Sequence, residues 1–422
     1  MNKLSERDQR YLWHPLTQHK THAGMLAITS AKGVYLKSED GSSYIDAIAS
    51  WYTCMYGHCN EFIIDRVHDQ MRQLDQVVFS GFTHQPAVEL AESLAKVLPG
   101  NQQKFFFSDN GSTSVEVAIK MAIQYHFNKG EKRNVLLALE EGFHGDTFGA
   151  MSVSGLSVYN GAFEDFFIKV IRLPRPTAEN IEDLLKKGAE LLEENAIAGF
   201  IYEPLVQGAA GMKFINAGHQ DRLLELMRNY GVLTIADEVM TGFGKTGTNF
   251  ATDQMSHQPD LMCLSKALTA GLLPMGLTTS TQEIFDAFYS EEISKGFFHG
   301  HTYTANPLAC TAASAALELL SSDKIQQDIR RINQMHADFD ARMKNHPNVG
   351  NSRYIGVIYA LDLAVPMERY GKLRDTLYGK FMDKGVFLRP LGNTIYILPP
   401  YIITDDQLNK VYQSIEEVID SI

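Results

Sequence analysis

The chain has 422 residues, 45% hydrophobic and 21% charged, which is typical of a soluble globular protein with a large core. Its 50 acidic residues outnumber its 38 basic ones, and the net charge of −12 argues against nucleic-acid binding because an acidic surface repels phosphate backbones. The N-terminal segment lacks the apolar run of a secretory signal, and no apolar stretch is long enough to cross a membrane. We therefore expect a cytoplasmic protein without a membrane partner. Four scattered cysteines predict neither a disulfide framework nor a metal site.

Short apolar strands and amphipathic helices alternate through the middle of the chain. The segment VYLKSEDGSSYIDA (34–47) first predicts a two-stranded hairpin. The strands that follow are predicted at KFFFS (104–108), NVLLALE (134–140), AGFIYEPL (198–205), GVLTIADE (231–238) and DLMCLSK (260–266), with helices at 114–127 and 219–230. This alternation predicts an α/β fold with a mostly parallel sheet covered by helices.

Beyond about residue 312 the pattern changes to long helices mixed with a few strands, which predicts a smaller α+β lobe. We expect three parts: an N-terminal segment (1–56) that packs with the small domain, a large ligand-binding domain (57–311) and a C-terminal small domain (312–422). Ligands of such sheets bind at the carboxyl ends of the strands. The residues at those ends are therefore the first candidates for function.

The first strand end leads into Asn110-Gly111-Ser112-Thr113, directly before a helix. Small residues with free amides at a helix N-terminus form a site for an anion such as phosphate. An ordinary helix cap is the simpler interpretation of these residues taken alone.

Two further strand ends carry charged residues. The strand GVLTIADE ends in Asp237-Glu238, and a buried carboxylate there needs a cationic partner. Lys266 directly follows the apolar strand of DLMCLSK, where desolvation lowers the pKa of a lysine and frees its amine for Schiff-base chemistry. A lone lysine at such a position usually only extends towards solvent. Together with Asp237 and the glycine turn, however, Lys266 completes the set of groups that a pyridoxal-phosphate site requires.

At these residues the chain resembles the class III aminotransferases of fold type I over essentially its full length. The resemblance lies in IADEVMTGFGKTG (235–247) and in the lysine segment DLMCLSKALTAG (260–271). Within the class the chain is most similar to the 7,8-diaminononanoate synthases of biotin biosynthesis. That narrower match lies in WHPLT (13–17), SWY (50–52), GFHGDTFGAMSV (142–153), YEPLVQGAAGM (202–212), HGHTYTANPLAC (299–310) and FLRPLGNTIYILPPYI (387–402).

The resemblance implies the cofactor, pyridoxal 5′-phosphate, and the residues that hold it. Lys266 carries the cofactor and then acts as the base of the proton shift, while Asp237 pairs with the pyridinium nitrogen. Gly111 and Ser112 hold the phosphate, and Phe143 stacks on the ring.

Further implied roles concern the ring oxygen and a second subunit. Glu203 lies near the phenolic oxygen of the ring. His301 and Thr302 reach the phosphate of the neighbouring subunit's cofactor, with Gly300 beside the substrate. The implied assembly is a homodimer with shared active sites.

The implied substrate site comprises Trp51, Tyr52 and Arg389, together with Leu16, Phe143, Lys266 and Gly300. A buried arginine needs an anion, and a carboxylate fits its planar fork, although an internal salt bridge is the alternative. For Trp51 and Tyr52 the alternative is packing in the core.

His144 and Asp146 either support the cofactor or only cap a turn. The sequence also departs from the commonest synthase pattern at three positions. Leu16 and Phe143 each replace a tyrosine, and Lys245 replaces an arginine. The lost hydroxyls leave the identity of the amino donor open.

The predicted function is a ping-pong aminotransferase that converts 8-amino-7-oxononanoate to 7,8-diaminononanoate. S-adenosylmethionine is the favoured donor and lysine the alternative, because an apolar wall suits the methylene chain of lysine. Another ω-aminotransferase acting on ornithine, 4-aminobutyrate or a diamine remains open, as does a pyridoxal-dependent decarboxylase or mutase. A cofactor-binding scaffold without activity is disfavoured by the intact Lys266 and Asp237.

Overall fold

The computed structural model describes residues 4–22, 24–100, 102–157, 160–366 and 371–421. Its helices are α1 (Leu4–Tyr11), α2 (Ala49–Tyr52), α3 (Glu61–Met71), α4 (Gln85–Val97), α5 (Gly111–Asn128), α6 (Phe148–Val153), α7 (Ile181–Glu194), α8 (Ala217–Asn229), α9 (Gln282–Asp286), α10 (Pro307–Leu320), α11 (Asp323–Met343), α12 (Lys372–Asp383) and α13 (Asp405–Asp420). None of the helices in the described part of the chain combines the length and apolar character needed to span a bilayer.

The strands are β1 (Ile28–Lys32), β2 (Tyr35–Ser38), β3 (Ser43–Asp46), β4 (Gln102–Ser108), β5 (Val135–Leu139), β6 (Val170–Leu173), β7 (Ile197–Tyr202), β8 (Val206–Gln207), β9 (Lys213–Phe214), β10 (Leu233–Asp237), β11 (Leu261–Leu264), β12 (Gly276–Thr281), β13 (Val349–Ile355), β14 (Ile358–Leu363), β15 (Val386–Phe387) and β16 (Thr394–Ile397).

A seven-stranded sheet in the order β4-β12-β11-β10-β7-β5-β6 organises the middle of the chain. Its strands are parallel except β12, which runs antiparallel to both of its neighbours. The predicted mostly parallel sheet is therefore confirmed, and all five predicted strands are present in it. β12 and β6 were not predicted.

Helices cover both faces of this sheet, because successive side chains of one strand enter two separate cores. Leu136 and Ala138 of β5 pack in the core that contains Val115 of α5. Leu137 and Leu139 pack on the other face, in the larger core. All five residues of β5 are buried, as the continuous apolar run predicts for a strand enclosed on both faces.

The N-terminal hairpin is joined to the C-terminal part of the chain. β2 and β3 pair antiparallel with Tyr35 opposite Ile45, which confirms the predicted hairpin. β3 then pairs in parallel with β15, Ile45 opposite Val386 and Asp46 opposite Phe387. A three-stranded sheet, β13-β14-β16, completes the C-terminal part.

Candidate active site

The carboxyl ends of two adjacent parallel strands bring the predicted lysine and aspartate to one edge of the sheet. β10 ends at Asp237, whose sheet partner in β11 is Cys263. Three residues later, Lys266 begins a 3₁₀ helix with a positive φ of 49°. The chain thus turns sharply out of β11 directly at the lysine, beside the aspartate.

The Lys266 amine lies in a largely enclosed environment. Its Nζ is 5.6 Å from the centre of the Tyr52 ring. Burial lowers the pKa of Lys266, and the negative charges of Asp237 and Glu203 oppose that effect in part. A lowered pKa increases the fraction of free amine, the form that reacts with an aldehyde.

Asp237 is buried and bound on both of its oxygens. Oδ1 accepts a hydrogen bond from the backbone amide of Val239 at 3.0 Å, and Oδ2 lies 2.7 Å from Nδ1 of His144. Nε2 of His144 is buried and has no hydrogen-bond partner among the described residues. A carboxylate offers about four acceptor positions, so Asp237 retains capacity for another donor.

The turn before α5 has the geometry of a helix N-terminus that could hold an anion. The Asn110 side chain caps the helix by accepting a hydrogen bond from the amide of Thr113, in a capping box. The amides of Gly111 and Ser112 precede that bond and have no acceptor inside the helix. A Cβ on Gly111 would lie 2.8 Å from Cγ1 of Val239, so only glycine keeps this turn against the end of β10.

These groups fit pyridoxal phosphate. The α5 N-terminus supplies free amides and the positive end of a helix dipole for the phosphate. Asp237 supplies a buried carboxylate with spare acceptor capacity for a protonated ring nitrogen. Lys266 supplies an amine whose pKa is lowered.

Glu203 and Phe143 lie next to this set. The Glu203 carboxylate accepts hydrogen bonds from the amides of Phe143 (3.2 Å) and Gly208 (3.0 Å). Burial raises the pKa of Glu203 to about 7; the nearby His144 opposes this shift and Asp237 adds to it. The Phe143 side chain is 41% exposed, so its ring face is available to a ligand.

Trp51 and Arg389 contact each other at the predicted substrate side. The Arg389 guanidinium lies 4.8 Å from the centre of the Trp51 ring. In the described part of the chain no carboxylate lies within 4.0 Å of Arg389, so the internal salt bridge is not formed. Trp51 is 41% exposed, whereas Tyr52 is buried against Tyr396. Core packing therefore describes Tyr52 but not Trp51.

Sequence reasoning underestimated two residues. The sequence alone leaves a simple turn cap open for His144, yet this residue directly contacts Asp237 across 93 residues of sequence. Lys245 was noted only as a departure from the family. It is fully buried, its Nζ donates to the Gly242 carbonyl at 2.8 Å, and burial together with the charge of Lys266 lowers its pKa to about 7.

Leu16, Gly300, His301 and Thr302 make no hydrogen bond or ion pair with the other predicted site residues in the described part of the chain. Leu16 is exposed, with φ 51°. Gly300 and Thr302 are also exposed, and the Thr302 carbonyl accepts a hydrogen bond from Gln76 at 2.8 Å. Nε2 of His301 is buried without a partner among the described residues.

Comparison with known proteins points in the same direction as this geometry. Residues 16–419 match the family model described as aminotransferase class-III. Adenosylmethionine-8-amino-7-oxononanoate aminotransferase of Synechococcus elongatus is 42% identical over 98% of this chain and 99% of its own. The enzyme of that name from Aquifex aeolicus is 37% identical over 99% and 97%.

Solved structures agree in fold. The crystal structure of adenosylmethionine-8-amino-7-oxononanoate aminotransferase from Methanocaldococcus jannaschii superposes with a TM-score of 0.93 at 32% identity, covering 99% of this chain and 98% of that one. An (S)-enantioselective omega-transaminase from Thermomicrobium roseum gives 0.92 at 28% identity over the same shares. With the family model matched almost end to end, this chain belongs to the class III aminotransferases, which are pyridoxal-phosphate-dependent enzymes.

Proposed function

We propose that the protein transfers an amino group from S-adenosylmethionine to 8-amino-7-oxononanoate, giving 7,8-diaminononanoate for biotin synthesis. Full-length relatives at 32–42% identity carry the name of that activity. When bound, pyridoxal phosphate would supply an aldehyde that can carry an amino group and a ring that acts as an electron sink. All other steps rest on residues of this chain.

One structural observation supports the acceptor in particular: the free guanidinium of Arg389 against the face of Trp51. A carboxylate bound there would receive two parallel hydrogen bonds from the guanidinium fork. The carboxylate of 8-amino-7-oxononanoate lies at the far end of an aliphatic chain from the ketone. The exposed face of Trp51 is suited to that aliphatic chain, because apolar surface packs favourably on an aromatic ring.

The proposed role of Lys266 is to hold the cofactor and to move the proton of the transfer step. Its lowered pKa increases the fraction of free amine, which is the form that can accept a proton. Asp237 keeps a positive charge on the ring nitrogen, and His144 orients Asp237 through the 2.7 Å contact. Glu203, with its pKa near 7, can exchange a proton beside the ring oxygen.

The test is product formation by the purified protein with each donor. Supplied with pyridoxal phosphate, S-adenosylmethionine and 8-amino-7-oxononanoate, the protein should form 7,8-diaminononanoate, identified by mass spectrometry. The Lys266→Ala variant is the control and should form none. No product with any donor would reject the proposed substrate while leaving the family assignment intact.

A single-turnover measurement follows the half-reaction of the amino donor separately from that of the acceptor. Each donor is supplied alone, and the true donor is the one that removes the visible absorbance of the bound cofactor. The aromatic faces of Trp51 and Phe143 suit the cationic sulfur of S-adenosylmethionine. The apolar positions Leu16 and Phe143 suit the methylene chain of lysine instead. Fast loss of absorbance with lysine and none with S-adenosylmethionine would reverse our choice of donor.

A second candidate is another ω-amino-acid or diamine aminotransferase. Its support is the fold of the omega-transaminase of Thermomicrobium roseum, which gives a TM-score of 0.92 against 0.93 for the Methanocaldococcus jannaschii enzyme. Such an enzyme would accept ornithine, 4-aminobutyrate or a diamine as donor with a general keto acid. A substrate panel in which these outperform 8-amino-7-oxononanoate would favour this candidate.

We also propose a homodimer with shared active sites. Large apolar side chains are exposed in two segments, and a partner subunit would cover them. They are Tyr11, Leu12, Trp13 and Leu16 near the N-terminus, and Tyr289, Ile293, Phe298 and Tyr303 around residues 289–303. The second segment contains Gly300, His301 and Thr302, which have no role in their own subunit's site.

Complementation tests the shared sites. Lys266→Ala and Thr302→Glu should each be inactive alone, since the added carboxylate would repel the phosphate. Mixed subunits should regain about one quarter of the wild-type activity, because half of the dimers are mixed and each has one intact site. Mixing Lys266→Ala with Asp237→Asn is the matched control, and no activity should return. Recovery in neither mixture would reject shared sites.

The division into residues 1–56, 57–311 and 312–422 remains a proposal. The pairing of β3 with β15 supports the packing of the N-terminal segment with the small domain. Limited proteolysis of the purified protein, with cleavage sites read by mass spectrometry, would test these boundaries.

A further inference from the structure

The residues that present Trp51 and Tyr52 form a left-handed turn. Ala49, Ser50, Trp51 and Tyr52 have φ angles of 47°, 46°, 68° and 72°, and none of them is glycine. Left-handed conformations of residues with a Cβ are unfavourable, and four in succession persist only when surrounding contacts enforce them. The source of that enforcement therefore determines where the Trp51 ring lies.

A single buried carboxylate, that of Asp46, supplies many of the contacts that hold this left-handed turn. Asp46 is fully buried at the end of β3. Its Oδ1 accepts from the amide of Ile48 at 3.2 Å, and its Oδ2 accepts from the amide and hydroxyl of Ser50 at 2.8 and 3.0 Å. Asp46 thus binds the first half of the turn directly.

His58 fixes the same carboxylate from the other side. Its Nε2 lies 2.8 Å from Oδ2 of Asp46. Burial lowers the pKa of His58, but the hydrogen bonds and charges of Asp46 and Cys54 outweigh burial and raise that pKa to about 10. The backbone of His58 also pairs with Gly33, next to the hairpin. His58 therefore fixes the side chain of Asp46 in the position from which it binds the turn.

The backbone of Asp46 leads to Arg389. Asp46 lies opposite Phe387 in the parallel β3–β15 pair, and Arg389 follows two residues later. The Arg389 guanidinium then lies over the Trp51 ring. The strand of Asp46 thus positions Arg389 through the backbone, and the carboxylate of Asp46 positions Trp51 through the turn.

We propose that Asp46 is the positioning residue of the substrate-carboxylate site, because it sets the left-handed turn that places Trp51 beside Arg389. The inference rests on the proposed recognition of a carboxylate by Arg389. Asp46 does not touch substrate or cofactor in this role. It acts through Ser50 and the turn.

The test replaces Asp46 by Asn in the full-length chain, with and without pyridoxal phosphate. Asn has the size of Asp, but one of its two oxygens is replaced by an NH₂ group. In either orientation of the side-chain amide, this NH₂ group faces the amide of Ile48 or that of Ser50, and that hydrogen bond is lost. Trp13 and Trp51 are the only tryptophans, so a Trp13→Phe background reports on Trp51 alone. Asp40→Asn is the matched control, since Asp40 accepts from Ser42 and Ser38 in the same hairpin but is exposed.

Asp46→Asn should increase acrylamide quenching of Trp51 and shift its emission to the red, whereas Asp40→Asn should change neither. The acceptor half-reaction with 8-amino-7-oxononanoate should weaken about 10- to 100-fold, mainly in apparent affinity, the range expected when one buried donor loses its partner. The half-reaction with an amine donor that has no carboxylate should be unchanged within about threefold, because it does not need Arg389.

Unchanged quenching of Trp51 in Asp46→Asn would overturn the inference. An equal loss in both half-reactions would also overturn it, since Asp46 would then support the whole fold. Failure of the wild type with 8-amino-7-oxononanoate would reject the proposed substrate, but the quenching measurement would still decide the role of Asp46. If Asp46→Asn does not fold, Ser50→Ala removes only the hydroxyl bond and should shift the same readouts less strongly; no shift there overturns the inference.

Discussion

Replacement of Arg389 by alanine tests the recognition of the substrate carboxylate most directly. Arg389 is half-buried, and no carboxylate lies within 4.0 Å of it in the described part of the chain. Its removal therefore leaves no buried acid unpaired in the free enzyme. The expected cost falls almost entirely on the bound substrate. The fold should be retained, because the contact with Trp51 is worth only about 0.5–1 kcal/mol at a partly exposed site.

The magnitude follows from the charge pair that the substrate would form. Truncation of one member of a buried, hydrogen-bonded charge pair costs about 2–5 kcal/mol, and partial exposure places Arg389 in the lower part of that range. We expect a loss of about 2–4 kcal/mol, or roughly 30- to 700-fold in kcat/KM for 8-amino-7-oxononanoate. Arg389→Lys should recover part of the loss, since an ammonium retains the charge but not the fork.

Stopped-flow absorbance of the bound cofactor measures the two half-reactions separately. The donor half-reaction should change much less than the acceptor half-reaction, most clearly with an amine donor that has no carboxylate. Arg342→Ala is the matched control. Arg342 is exposed and pairs with Glu416 at 3.0 Å, and neither residue belongs to the predicted site. It should change neither rate. An equal fall in both half-reactions of Arg389→Ala would refute the reasoning and make Arg389 structural.

Three further outcomes are expected. Borohydride should fix the cofactor to one peptide that contains Lys266, and Lys266→Ala should be unable to turn over even if it binds the cofactor; labelling of another lysine would contradict the site. Lys245→Met should be more stable in urea than wild type at fixed protein concentration, by at most about 5 kcal/mol, because the pKa of Lys245 falls from 10.5 to about 7 on burial. Between pH 7 and pH 10.5 the unfolded wild type binds more protons than the folded wild type, so the free energy of unfolding of the wild type rises with pH. The extra stability of Lys245→Met should therefore be largest below about pH 7 and vanish towards pH 10.5. A stability difference that does not depend on pH would contradict this expectation. Trp51→Phe should keep an aromatic face for Arg389 and cost the acceptor half-reaction only about threefold, whereas Trp51→Ala should cost about tenfold.

The sequence was most informative where one local feature carries the chemistry. Continuous apolar runs predicted the parallel strands, since only a strand enclosed on both faces can be apolar throughout. Asp237 and Lys266 then followed from the rule that ligands collect at the carboxyl ends of such strands. The structure places these two residues at the ends of adjacent strands, as expected.

Pairings between distant segments were not accessible in this way. The 2.7 Å contact between His144 and Asp237 joins a loop to the end of β10, and neither segment alone indicates it. β12 was missed because its sequence, GLTTST, is rich in threonine and glycine rather than in large apolar residues. Its threonine hydroxyls bind residues that are distant in sequence: Thr278 donates to the Ser114 carbonyl and Thr279 donates to the Gln102 side chain. Burial of these polar residues depends on partners that only the folded chain supplies.

Backbone conformation around the site was also unpredictable, and for a common reason. Non-glycine residues with positive φ occur next to the functional groups: Lys266 itself, Trp51 and Tyr52, Glu141 near Phe143, and Leu205 near Glu203. Local propensity disfavours each of these conformations, so a pattern read residue by residue assigns ordinary turns there. In the Trp51 turn such a conformation is held by hydrogen bonds to Asp46. Sequence rules thus fail at the points where the fold aims a side chain into the site, and that failure is itself a signal of function.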